Sequence, residues 1–403
     1  MSRRAGRGTV SRGVAARLVA ALVGVVLAGA LVAAMTAPLV GRPARIVLVV
    51  RPPRGAVTAL AWPARGTAAL YVPWAGVSVS HHDRVVPIAS LTKMMTVLVA
   101  LRRAPLAPGE SGPCLVVSAA QVANYDAMVA RDESSVPVVV GERLCESELL
   151  AGTLVRSAGD YASMLATLAA GSPRRMVALM NQRARAMGLR HTHYAGVAGL
   201  GAGSVSTAQD QARVAAALMR FSVVRALVDR SSVTLPVAGT VASYTPFVGQ
   251  GSVVGVKSGR TAAAGGCDAM AVTFRADGRV HTLYAVVTGQ RTGDVLAAAG
   301  EAARALATSA LAARRSLTWR PGVVLARVGF GRGGVAATPA RVVQLSWWPG
   351  PGAITFRVVA RRLTEVRRGE VVGRLVVSGE IHRSIPLVAT ASLARPSWLE
   401  RLR

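Results

Sequence analysis

Pro87-Ile88-Ala89-Ser90-Leu91-Thr92-Lys93-Met94-Met95-Thr96 is the stretch around which the rest of this chain is read. Leu91, Met94, Met95, Leu98 and Val99 recur at i, i+3, i+4, i+7 and i+8, the pattern of a helix buried along one face. Ser90 stands where that helix begins, and Lys93 follows one turn later on the same face. A hydroxyl placed there meets the positive end of the helix dipole, and so does any oxyanion formed beside it. The pair reads as a nucleophile and its base.

Ser-x-x-Lys is a common tetrapeptide, so composition must decide how much it means. Of the 48 basic residues, 46 are arginine, and the two lysines are Lys93 and Lys257. Such a chain writes Arg wherever a plain positive charge will do. Arg keeps its proton in any protein environment, whereas a desolvated Lys can shed it near neutral pH. The lysine census therefore favours a working role for both residues over a chance surface charge.

The formal net charge of +29 suggests either nucleic acid or an anionic envelope surface as a partner. Nucleic acid is set aside, because the arginines are dispersed, aromatics make up only 4% and no nucleic-acid motif is present. Residues 1–17 carry Arg3, Arg4, Arg7, Arg12 and Arg17 as a basic cytoplasmic tail. The 23 uncharged residues from Leu18 to Val40 suffice to span a bilayer. An uncleaved single-pass anchor is favoured over a signal peptide, whose apolar core is normally shorter, roughly 7–15 residues. Either way the remainder faces outward, tethered in the cell membrane or secreted. Cys114 and Cys145 enclose 30 residues, and a disulfide closing that loop contributes roughly 3–4 kcal/mol. The other reading makes all three cysteines small buried hydrophobes. No metal-ligand spacing is present, and neither metal nor cofactor is expected.

Residues 41–59 read as a tether, 60–312 as one domain and 313–403 as a second. Ala68–Ser80 alternates as a hairpin at a sheet edge. Residues 138–140 read as a short strand. Glu148–Arg156 and Tyr161–Ala170 read as helices with Ser157 in the tight turn between them, and Asp160 reads as the N-cap of the second. Met176–Met187 and a segment opening at Ser206-Thr207 are further helices, with either residue as N-cap. Val253–Val256 is a strand running into Lys257-Ser258-Gly259. Asp277-Gly278 signals a hairpin between Met270–Phe274 and Val280–Val287. Beyond Arg315, short β-like runs separated by Gly- and Pro-rich turns predict a small all-β domain.

Ser90-Leu91-Thr92-Lys93, Ser157 about 65 residues on and Lys257-Ser258-Gly259 together resemble the three markers of penicillin-recognising serine enzymes. Their order and flanks are most similar to the D-alanyl-D-alanine carboxypeptidases, the low-molecular-mass penicillin-binding proteins. Residues 87–96, Met180-Asn181 through Gly188-Leu189 to Gly199-Leu200, Ser206-Thr207-Ala208 with Asp210, and Gly265-Gly266-Cys267 add to the likeness. The resemblance implies an α/β (α+β) fold of the β-lactamase/transpeptidase type, with an antiparallel sheet flanked by helices. It also implies a serine carboxypeptidase acting on peptidoglycan stem peptides and acylated by β-lactams. Ser90 would be the nucleophile, Lys93 its base and Ser157 a proton relay. The backbone N–H groups of Ser90 and Arg260 would form the oxyanion hole, and Lys257, Ser258 and Gly259 would line the place of the substrate's terminal carboxylate.

One departure stands out. The family's second marker is Ser-x-Asn, and here it reads Ser157-Ala158-Gly159. A catalytically impaired envelope scaffold is therefore one alternative. A β-lactamase is a weaker one, since the Ser-Asp-Asn marker of the class A enzymes is missing.

Overall fold

A computed structural model describes residues 17, 19–29, 44–52, 59–276, 278–330, 334–348, 354–378 and 382–394. At its centre is a five-stranded antiparallel sheet in the spatial order Val253–Thr261, Gly265–Ala276, Arg279–Gln290, Thr67–Val72, Val77–His81. Period-2 alternation sends its side chains into two separate cores. Ala69, Ala269, Ala271 and Val286 face a helical layer containing Leu91, Met94, Met95 and Leu98. Leu70, Met270, Val272 and Val287 face the opposite way, onto Ala303, Leu306 and Ala310 of the long helix Val295–Ala313. That helix has the length and apolarity of a membrane span, yet these residues are buried against the sheet.

The helical layer holds Thr92–Arg103 at its heart, packed among Glu146–Leu154, Gly159–Ala170, Pro173–Ala186 and Ala208–Leu218. Most of these helices match their expected positions to within a turn. Thr207 is the N-cap of its helix, accepting from Asp210 N at 3.2 Å. Asp160 is not an N-cap: Ala158 holds that position and Asp160 sits in the first turn, its carboxylate accepting from Val136 N at 3.3 Å. The strand expected at 138–140 is not formed. Arg143–Cys145 pairs instead with Cys114–Val116, placing Cys114 opposite Cys145 in a disulfide. Cys267 is free and buried.

The C-terminal run folds as β structure, a six-stranded sheet plus the pair Arg315–Trp319 and Val343–Trp347. One strand of the six comes from far away. Arg45–Leu48, inside the stretch read as a tether, pairs with Ala326–Gly329 at the edge of that sheet. Trp348 Nε1 donates to Ala310 O at 2.6 Å, tying this β layer to the long helix. Of the expected anchor at 18–40, Val19–Gly29 is an apolar helix, and 18 and 30–40 lie outside the described residues, as do 1–16 of the expected basic tail.

Candidate active site

Ser90 lies in a single 3-10 turn, Ala89–Leu91, that runs straight into the helix Thr92–Arg103. Ala89 holds a φ of +45°, a conformation rare for any residue but glycine. Of the five non-glycine residues with positive φ among those described, Ala89 immediately precedes the first sequence marker and Ser157 (φ +68°) opens the second. Backbone strain of this kind collects where a side chain must be held in one direction.

Lys93 is completely buried, and its Nζ stands 2.8 Å from Ser90 Oγ. The amine also donates to the Ala198 carbonyl at 2.8 Å. Burial lowers this lysine from 10.5 to about 7, against the upward pull of the Asp160 and Glu133 carboxylates. A half-neutral amine touching a hydroxyl is poised to take its proton. Asp160 answers in kind: burial pushes it up to about 6, while backbone N–H groups and the Lys93 charge pull it down.

Ser157 is 1% exposed, and its Oγ has no hydrogen-bond partner. Two residues on, Gly159 stands where the family's marker has asparagine, and the tip of the Met128 side chain packs against it. A Cβ built on Gly159 would collide with Met128 Cε, so the methionine thioether fills the space a longer side chain would take. Met128 comes from the helix Ala119–Ala130.

The strand Val253–Thr261 closes the other side. A Cβ on Gly259 would fall 2.5 Å from Ser90 Cβ and 2.7 Å from Ser90 N, so the strand backbone presses directly on the serine. Lys257 is completely buried, and its Nζ donates to Ser258 O at 2.8 Å. Burial puts it well below the ordinary lysine range, and the Lys93 charge deepens the shift. Ser258 Oγ donates to Tyr244 O at 2.8 Å. The Arg260 side chain is exposed and reaches Tyr244. Tyr244 also lies under the Arg156 guanidinium, 5.7 Å from ring centre to Cζ.

The fold thus brings Lys93 and Gly259 each against Ser90, with Lys93 close enough for its charge to be felt at Lys257. Three participants escaped sequence reasoning: the Ala198 carbonyl, Met128 and Tyr244. None belongs to a repeating pattern.

Residues 77–292 match the family model for D-alanyl-D-alanine carboxypeptidases, which is more than half of the chain. The chain belongs to that family. A D-alanyl-D-alanine endopeptidase of Pseudomonas aeruginosa is 31% identical over 34% of this chain and 42% of its own length. The D-alanyl-D-alanine carboxypeptidase DacA of Escherichia coli K12 is 35% identical over 33% of this chain and 33% of its own. The match therefore spans less than half the length of these curated relatives. Among solved structures, the D-alanyl-D-alanine carboxypeptidase DacD of Francisella tularensis superposes with a TM-score of 0.56 at 19% identity, covering 87% of this chain and 97% of that one. PBP3 of Streptococcus pneumoniae, a peptidoglycan synthesis regulatory factor, gives 0.60 at 20% identity, covering 83% and 100%. At those identities the superpositions establish the carboxypeptidase-family fold.

Proposed function

We propose that this chain is a serine D-Ala-D-Ala carboxypeptidase that trims peptidoglycan stem peptides. The observation that carries the reading is the 2.8 Å contact between a wholly buried lysine amine and Ser90 Oγ. Ser90 Oγ attacks the carbonyl carbon of the penultimate D-alanine, and its proton passes to neutral Lys93. The carbonyl oxygen takes up negative charge opposite the Ser90 and Arg260 backbone N–H groups. The peptide bond to the terminal D-alanine then breaks, and Ser157 relays a proton to the departing amine. Water hydrolyses the Ser90 ester and returns the serine. Lys257 and the Ser258 hydroxyl hold the terminal carboxylate, with Gly259 leaving the strand close enough to do so. A β-lactam acylates Ser90 in the same way and leaves slowly.

The basic residues 1–17 and the apolar run 18–40 support a single-pass membrane anchor with the enzyme outside the cytoplasm. The Cys114–Cys145 disulfide fits an oxidising compartment. Detergent, but not carbonate, should release the protein from membranes.

The decisive experiment is labelling with a fluorescent penicillin, wild type beside Ser90→Ala, with the adduct mapped by mass spectrometry and D-alanine release followed on a pentapeptide. The expected result is a Ser90 adduct and D-alanine release from wild type alone. A wild-type protein that takes no label and releases no D-alanine is the envelope scaffold that Gly159 would suggest. Rapid turnover of penicillin without D-alanine release would make it a β-lactamase.

A further inference from the structure

Only Gly41, Arg42 and Pro43 separate Val40, the end of the apolar run, from Ala44. Fully extended, those four steps reach at most about 14 Å. Ala44 is buried, and its N–H donates to Leu363 O at 3.2 Å. The strand Arg45–Leu48 begins at the next residue, at one edge of the six-stranded sheet. The chain therefore enters the C-terminal β layer before it reaches the domain that carries Ser90.

The two edges of that sheet meet. Arg45–Leu48 lies beside Thr355–Ala360, the strand at the other edge. A Cβ on Gly373, in the strand that pairs with Thr355–Ala360, would fall 2.8 Å from Ile46 Cδ1. Register then sorts the side chains, because residues directly paired across an antiparallel ladder share a face. Ile46 with Val328, Phe356 with Val377, and Val358 with Leu375 face the core. The alternate positions face out: Val47 with Arg327, Arg357 with Val376, and Val359 with Arg374. Arg45 shares the outer face with Val47, two residues on. Arg361 and Arg362 follow Thr355–Ala360 directly and are exposed, next to the Leu363 carbonyl that holds Ala44.

Six exposed arginines thus surround the point of entry, with Val47 (63% exposed) and Val359 (44%) among them. None of the six strands contains an acidic residue. Among the described residues none of these arginines makes an ion pair. Glu365 and Glu370, the acids of the adjoining turn, are engaged by the Arg367 guanidinium and the Arg367 backbone N–H. The imbalance runs through the sequence: residues 313–403 hold 16 arginines against 4 acidic residues, and the first acidic residue of the whole chain is Asp83. Six like charges left without counter-charges on one face call for an anionic partner.

We propose that this outer face of the β layer docks on anionic lipid headgroups, against the same bilayer that the apolar run 18–40 enters. The inference rests on the membrane-anchor reading of that run. Guanidinium groups take phosphate oxygens through paired N–H donors, and valines interspersed with them suit the boundary between headgroups and acyl chains. Exposed charges act over only about 8 Å at physiological salt. The short connection to the anchor holds the arginines near the surface, so docking becomes an intramolecular step. Once docked, the β layer fixes how the Ser90 domain stands on the membrane.

The test uses the full chain carrying Val359→Cys labelled with a fluorescent dye, Cys267 being buried and the other two cysteines joined. The protein is reconstituted in vesicles of phosphatidylcholine alone, or of equal parts phosphatidylcholine and phosphatidylglycerol, each containing a headgroup-nitroxide quencher. Quenching should be about threefold stronger in the anionic vesicles and should weaken in high salt. Arg327→Gln/Arg357→Gln/Arg361→Gln should remove at least half of that difference while circular dichroism and Tm stay unchanged. A dye at Val129→Cys, on the helix Ala119–Ala130 of the other domain, should be quenched in neither. Equal quenching of the Val359 probe in both vesicles, or a triple variant that keeps the full difference, overturns the inference and leaves the anchor standing. Wild type that fails to float with phosphatidylcholine vesicles after a carbonate wash shows that the anchor reading has failed, and the inference fails with it. A probe whose emission shifts with soluble polyphosphate yet is not quenched by anionic vesicles marks a site for a soluble polyanion, which also overturns the inference.

Discussion

Met128 Cε occupies the space that a side chain at position 159 would need, so Gly159 and Met128 are two halves of one packing solution. Restoring asparagine there by Gly159→Asn alone forces the methionine out and should destabilise the protein by about 1–3 kcal/mol. Met128→Ala together with Gly159→Asn makes the room. That double variant should acylate faster than wild type, by up to about 10², the scale of a recovered positioning contact. Stopped-flow acylation by a chromogenic cephalosporin measures it, and a double variant slower than wild type would show that the asparagine is not what limits the rate.

Lys93 gives the enzyme an acid limb. Its amine must be neutral to accept the Ser90 proton, so acylation should rise with pH through a midpoint near 7. The same shift has a stability cost with a defined sign. Between about 7 and 10.5 the unfolded chain keeps a proton on this lysine that the folded chain has lost, so stability rises with pH across that window. Below it the full penalty of burying the charge applies. Lys93→Met should therefore abolish labelling yet raise Tm, more at pH 6 than at pH 9. Thermal scans at the two pH values read this directly.

Gly259→Ala tests how tightly the strand sits on the nucleophile. The new methyl group meets Ser90 Cβ and the Ser90 backbone nitrogen, and backbone cannot swing aside as a flexible side chain can. Labelling should fall by about 10² or more, the usual consequence of displacing a reacting group by an ångström. Retained circular dichroism with lost labelling is the expected pair of results; wild-type labelling would place the substrate elsewhere.

The disulfide between Cys114 and Cys145 closes a loop of 31 residues' separation, for which chain entropy predicts about 3–4 kcal/mol of stabilisation. Denaturant melts of Cys114→Ser/Cys145→Ser should show that loss. Thiol titration of the unreduced, denatured wild type should find one group, Cys267.

The sequence by itself determined what depends on near neighbours. Ser90 and Lys93 meet because three residues make almost one helical turn, and the helices around them announce their buried faces through apolar spacing. The strand alternation likewise separates Ala269 and Ala271 from Met270 and Val272, which fall into different cores. Only the tertiary structure decided which distant groups fill the space between those elements. Arg45–Leu48 joins a sheet whose other strands begin at Ala326, Met128 packs against Gly159, and Asp268 faces Ser258 across a strand pair. Periodicity records that a face is buried and is silent on what covers it, because packing joins residues according to shape and charge at any separation along the chain.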